Sequence, residues 1–152
     1  MIIIHFDGAC EPVNPGGTAS WGYTVKNQFG ELLRSGHGIV GKGPGMTNNV
    51  AEYHGLIEAL KGAFSFGFIG PIEIYGDSSL VINMVNKKWG WKKSRSGKTI
   101  LGWDPHWEQP HLRKLLDEVF KLLEGKEFTA KWIPREQNAE CDALSKKQNE
   151  KI

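Results

Sequence analysis

The chain has 152 residues, with 19 basic and 17 acidic side chains and a formal charge of +2. At 39% apolar and 24% charged residues it has the composition of one globular domain, long enough to bury a core. Widespread disorder and a disulfide-dependent scaffold are therefore excluded. No apolar run approaches the ~18 residues of a membrane span. The start, Met1-Ile2-Ile3-Ile4-His5-Phe6-Asp7, has no basic region and meets a carboxylate at once, unlike an export or transit signal. Cys10 and Cys141 are accordingly expected as free thiols in a reducing cytoplasm. The charge is unevenly spread. Residues 87–98 hold six basic side chains and no acid, while the rest has thirteen bases against seventeen acids.

Residues 2–7 are short, apolar and β-branched and read as a buried strand. Residues 8–17, with three glycines and two prolines, read as a loop. Two strands follow at 18–27 and 30–40, joined by a tight turn. Apolar residues from Val50 to Phe64 recur at helical spacing and predict a helix over 47–66, stopped by Gly67 and Gly70-Pro71. Residues 72–76 read as a fourth strand and 77–86 as a short helix. The conformation of 87–107 is left open. Residues 108–124 predict an amphipathic helix, 127–133 a fifth strand and 138–148 a last helix. Three strands joined by short turns pair antiparallel, and strands reached through helices add in parallel. The expected fold is α/β, a mixed five-stranded sheet flanked by helices.

Four acids stand at element ends. Asp7 closes the first strand, Glu52 lies near the start of the long helix, Asp77 joins the fourth strand to its helix, and Asp142 lies early in the last helix. Each has a local explanation. Asp7-Gly8 suits a turn, Asn49 to Glu52 a capping box, Asp77-Ser78-Ser79 an N-cap, and Asp142 a helix dipole. Jointly they point elsewhere, because ligands of α/β sheets bind outside the carboxyl ends of the strands. Four carboxylates in one cleft repel each other, and an all-oxygen donor set selects Mg²⁺ or Mn²⁺. No His or Cys grouping has zinc spacing. Two such ions suit in-line displacement at phosphorus, with no protein nucleophile.

With those residues in hand, the chain resembles ribonuclease H of type 1. The resemblance is carried by Asp7-Gly8-Ala9-Cys10 with Asn14-Pro15-Gly16-Gly17, and by Thr47-Asn48-Asn49-Val50-Ala51-Glu52. Tyr75 to Ile82 and Trp132 to Asp142 complete the set, in register from residue 1 to about 146. It implies a ribonuclease H-like fold with one catalytic domain over 1–146 and a fraying tail over 147–152. It implies hydrolysis of the RNA strand of RNA–DNA hybrids, leaving 5′-phosphate and 3′-hydroxyl ends. By the same likeness Asp7, Glu52, Asp77 and Asp142 hold two Mg²⁺ ions, for which Mn²⁺ substitutes. Cys10, Asn14, Thr47, Asn48 and Ser79 fall where the family meets the hybrid, whose 2′-hydroxyls mark the RNA strand. Two departures stand out. Pro134-Arg135-Glu136 replaces the histidine-bearing loop of many members, a short connection like that of the archaeal-like branch. Arg135, the stand-in, stays protonated and orients phosphate or is simply a surface residue. Ser79 stands where a longer amide is common.

Residues 86–107 occupy the place of the basic protrusion found in some members of the family. Lys87, Lys88, Lys92 and Lys93 would release phosphate counterions without reading sequence. Trp89 is expected on substrate, and Trp103 and Trp107 as apolar anchors. The expected partner is an RNA–DNA hybrid, with no membrane, no small-molecule cofactor and a monomeric chain. Two other readings remain open: a hybrid-binding module without catalysis, and a different metal nuclease on the same sheet.

Overall fold

The computed structural model describes residues 1–65, 67–68 and 70–147. In chain order the elements are β1 (Ile2–Glu11), β2 (Gly16–Asn27), β3 (Leu32–Gly43), α1 (Asn48–Ser65), β4 (Ile72–Gly76), α2 (Ser79–Val85), β5 (Trp91–Lys93), β6 (Ile100–Trp103), α3 (Pro110–Leu123), β7 (Phe128–Trp132) and α4 (Ala139–Ser145). A 3-10 turn, Arg135–Asn138, leads into α4. Phe66 and Gln148, the expected ends of two helices, lie outside the described residues, as does the tail beyond Lys147.

The main sheet has the order β3-β2-β1-β4-β7. β1, β2 and β3 pair antiparallel, and β4 and β7 add in parallel on the other side of β1. This is the mixed five-stranded α/β sheet that the turn lengths imply. Helix α1 packs on β1 and β2 and touches α2 and α3, while α4 lies against β1, β2 and β3. The core between sheet and helices joins Ile4, Phe6 and Ile74 of the strands to Tyr53, Leu56 and Leu60 of α1 and Leu112 and Leu116 of α3. No helix among the described residues is long and apolar enough to cross a membrane.

The expected loop at 8–17 is mostly strand. Residues 8–11 continue the ladder with β2, where Gly8 faces Trp21 and Glu11 faces Thr18, so only residues 12–15 turn. The glycine that suggests a loop has a packing role instead. A Cβ on Gly8 would lie 2.3 Å from the Glu52 backbone nitrogen, so the bare backbone lets α1 settle on β1. Gly22, opposite Asp7, does the same on the other face, where a Cβ would meet Leu144 at 2.6 Å. The segment 87–107 contains a two-stranded hairpin, β5 with β6, apart from the main sheet.

Candidate active site

The parallel pairing of β1 with β4 ends at Phe6 opposite Gly76. Asp7 is the next residue of β1 and Asp77 the first residue after β4, so the two carboxylates stand side by side at the carboxyl edge. Asp7 is thus not the end of β1 but the point where its neighbour β4 stops. Glu52 is not a capping residue. It belongs to the second turn of α1, and the helix is capped by Thr47, whose Oγ1 accepts from the Val50 amide at 3.2 Å. Glu52 instead turns inward and is 7% exposed, beside Asp7 at 3%. Carboxylate oxygens of Asp7, Glu52 and Asp77 all lie within 4.8 Å of one another.

Asp142 completes the edge from α4. Asn138, just before that helix, donates from Nδ2 to the Phe6 carbonyl at 2.8 Å and ties the helix start to β1. The Asp142 Oδ1 is 3.3 Å from Arg135 Nη2 and 3.5 Å from Lys146 Nζ, and Lys146 also reaches Glu11 at 3.4 Å. Ser78, not Asp77, caps α2, accepting from the Val81 amide. Trp132 Nε1 donates to the Asp77 carbonyl and holds that junction to β7. The four acids line one cleft of about 750 Å³ with Cys10, Asn14, Asn48, Arg135 and Lys146.

Electrostatics separate the four. Burial, aided by the Asp77 charge, pushes the Asp7 carboxyl up to about 7. Burial and then the Asp7 charge push Glu52 well above the usual carboxylate range. For Asp142 partial burial acts upward, but its hydrogen bond with Asp7 and the nearby Lys146 and Arg135 outweigh it and hold the group low. Among the described residues the ion pairs of Arg135 and Lys146 in the cleft go to Asp142 and Glu11 and not to the three inner acids. Glu52 Oε2 is buried with no hydrogen-bond partner among the described residues. An unpartnered buried carboxylate oxygen facing two further carboxylates is a donor set for a hard divalent cation.

Other expected positions divide into two groups. Cys10, Asn14 and Asn48 form one chain of hydrogen bonds. The Asn48 amide donates to Asn14 Oδ1, and the Cys10 amide donates to Asn48 Oδ1, both at 3.1 Å. The Cys10 thiol is buried and directed at the Val13 and Met46 carbonyls. Both cysteines are free. Thr47 and Ser79 lie outside the cleft lining, and Ser79 is exposed. Lys87, Lys88, Trp89, Lys92 and Lys93 are exposed around the hairpin and do not line the cleft. Lys87 Nζ lies 5.0 Å above the Trp103 ring, which itself meets Phe120 edge-on. Trp103 is an anchor as expected, but Trp107 is not, being 61% exposed. Its neighbour His106 turns inward in the left-handed region and takes the buried place. Sequence reasoning assigned no role to Lys146 or Asn138. The spacing of Lys146 four residues after Asp142 is the signal that reveals the first.

The sheet order and the carboxylate cleft define an α/β domain of the ribonuclease H-like class. The RNase H family model matches residues 1–150. The ribonuclease HI of Halobacterium salinarum is 34% identical over 142 residues, 93% of this chain and 60% of that protein. The ribonuclease H of Prosthecochloris aestuarii is 34% identical over 146 residues, 95% of this chain and 92% of that one. The crystal structure of RNase H1 from Halobacterium salinarum matches with a TM-score of 0.79 at 29% identity, covering 99% of this chain and 98% of that one. LC11-RNase H1, solved in complex with an RNA/DNA hybrid, matches with a TM-score of 0.77 at 25% identity, covering 97% and 95%. The chain belongs to the RNase H family, on its type 1 side, with an archaeal protein among its relatives.

Proposed function

We propose that this chain is an endoribonuclease that hydrolyses the RNA strand of RNA–DNA hybrids and leaves 5′-phosphate and 3′-hydroxyl ends. The observation that carries the reading is the trio Asp7, Glu52 and Asp77, whose carboxylate oxygens converge within 4.8 Å while Glu52 Oε2 has no partner. Family membership, and a relative solved on an RNA/DNA hybrid, support the substrate.

Asp7, Glu52, Asp77 and Asp142 would hold two Mg²⁺ ions, with Mn²⁺ as a substitute, since the donors are all oxygen. When bound, the ions supply activation of the attacking water and stabilisation of the leaving 3′-oxygen. The protein's own residues do the rest. Asn138 and Trp132 hold the carboxylate-bearing segments in register. Asn14 and Asn48 shape the rim on which the minor groove would lie, where 2′-hydroxyls distinguish RNA from DNA. Thr47 and Ser79 flank that rim as substrate contacts, with Cys10 acting through its backbone. Arg135 orients phosphate and takes no proton. The hairpin lysines add affinity without sequence preference. The catalytic unit spans 1–146 and works as a monomer, and its two free thiols suit a reducing cytoplasm.

Matched hybrid, double-stranded RNA and double-stranded DNA, each with Mg²⁺, test this directly. Only the hybrid should be cut, within its RNA strand. Equal cleavage of double-stranded RNA overturns the specificity, and no cleavage of any duplex overturns the activity.

A further inference from the structure

The segment that follows the basic hairpin meets the helix bearing Glu52 through a buried contact. Tyr53, next to Glu52 on α1, places its hydroxyl 2.6 Å from His106 Nε2, and the two rings meet edge-on at 5.6 Å. Tyr53 is fully buried and His106 is 8% exposed. His106 adopts φ 55, the left-handed region that non-glycine residues use uncommonly and that histidine tolerates better than most.

The residues before His106 are tied to the stem of the hairpin. The Asp104 amide donates to the Gly90 carbonyl at 2.8 Å, and Trp103 Nε1 donates to the Trp89 carbonyl at 2.7 Å. A Cβ on Gly90 would sit 2.9 Å from Pro105 Cα, so stem and connection touch directly. On the other side Arg113 of α3 grips Asp104 at 2.7 Å. Stem and residues 103–106 thus form one packed unit, which His106 joins to α1 while Asp104 and Trp103 join it to α3.

We propose that Tyr53 and His106 form a clasp that fixes the basic hairpin relative to the helix bearing Glu52, making both positioning residues for nucleic-acid binding. The proposal rests on the hybrid-cleavage reading for its functional consequence, because the lysines gain affinity only if they meet phosphates while the carboxylates meet the scissile bond. Its structural half is independent of that reading. Without the clasp the hairpin keeps its lysines but loses their register with the cleft, so binding weakens and the chemical step does not.

Tyr53→Phe, His106→Ala and His106→Gln test it in the full chain. Tyr53→Phe and His106→Ala should raise KM for a hybrid roughly threefold to tenfold, the weight of one hydrogen bond, with kcat within about twofold. His106→Gln keeps a polar nitrogen at similar reach and should restore most of the affinity. Amide hydrogen exchange of the free protein reads the clasp without substrate. Exchange over 89–103 should quicken in Tyr53→Phe while the five-stranded sheet is unchanged. Unchanged exchange over 89–103 overturns the clasp. Quickened exchange with unchanged KM overturns its role in binding. If the wild type cuts no hybrid, the activity reading fails, and exchange still decides the clasp.

Discussion

The cleft and the hairpin are both charged, but they carry charge in opposite ways. In the cleft three acids are crowded within 4.8 Å, two of them are buried, and one oxygen is left without a partner. Such an arrangement opposes folding, and nothing in the packing of α1 on β1 requires it. In the hairpin the cations are spread over an exposed surface that asks for no compensation. Buried like charge therefore identifies a functional site almost unaided. Exposed charge acquires meaning only from its layout, here from tryptophans that fix where the lysines stand.

The strongest way to break this contrast is Asp7→Asn. Cleavage of the hybrid should fall on the order of 10³-fold, because the substitution removes a charge of the proposed metal site. Folding should move in the opposite direction. The Asp7 carboxyl is raised to about 7 in the folded chain, above its ordinary value. Its folded state therefore favours the protonated form, and in chelator the wild type loses stability as pH rises from about 4 through 7. Asp142, held low by its cations, acts with the opposite sign, but its exposed ion pairs are screened and weaker. At pH 8 in chelator Asp7→Asn should melt on the order of 5 °C above the wild type, with the gap closing near pH 4. Thermal melts across that range check it. A variant less stable than wild type at pH 8 would mean that Asp7 is a structural acid.

Neutralising the hairpin sharpens the other side. Deleting 87–98 is a blunt instrument, because the Lys87 carbonyl accepts from Trp91 Nε1 and its amide helps close α2. Lys88, Lys92 and Lys93 changed together to Gln leave those bonds intact. KM should rise on the order of tenfold near physiological salt, with kcat within about twofold. The slope of log affinity against log salt should flatten by about 0.7 to 0.9 for each lysine that meets a phosphate. An unchanged slope would assign the cluster to solubility.

Much of this is legible in the sequence. The antiparallel pairing of the first three strands follows from turn lengths, though not which side of them β4 joins, and four acids at element ends predict a cleft if strands one and four are neighbours. What the sequence hides are roles that depend on a neighbour. Gly8 looks like a loop residue until α1 is seen resting on it. Glu52 matches a capping pattern, and only the Thr47 cap and its own burial rule that out. Trp107 reads as an anchor by its size, yet the left-handed turn at His106 throws it outward. Lys146, just past α4, has no motif of its own, and its spacing four residues after Asp142 gains meaning only once the end of that helix stands at the cleft.

The smallest effect falls at Arg135, where the two regions meet in kind: an exposed cation on the cleft's outermost acid. Its side chain is 66% exposed and lies 3.3 Å from Asp142 Oδ1, an oxygen that Lys146 also approaches. Guanidinium stays protonated, so it serves no proton transfer, and an exposed ion pair contributes about 0.2 to 1 kcal/mol. Arg135→Ala should therefore lower kcat by at most about fivefold without moving the pH profile. Lys146→Ala alone should act on the same scale, because either cation can hold the carboxylate in place. Removing both leaves Asp142 facing Asp7 without a counter-charge, so the double variant should lose more than the product of the two single effects. Rates for the two single variants and the double variant, measured on one hybrid, decide it. A strictly multiplicative result would mean that the two cations act on different groups.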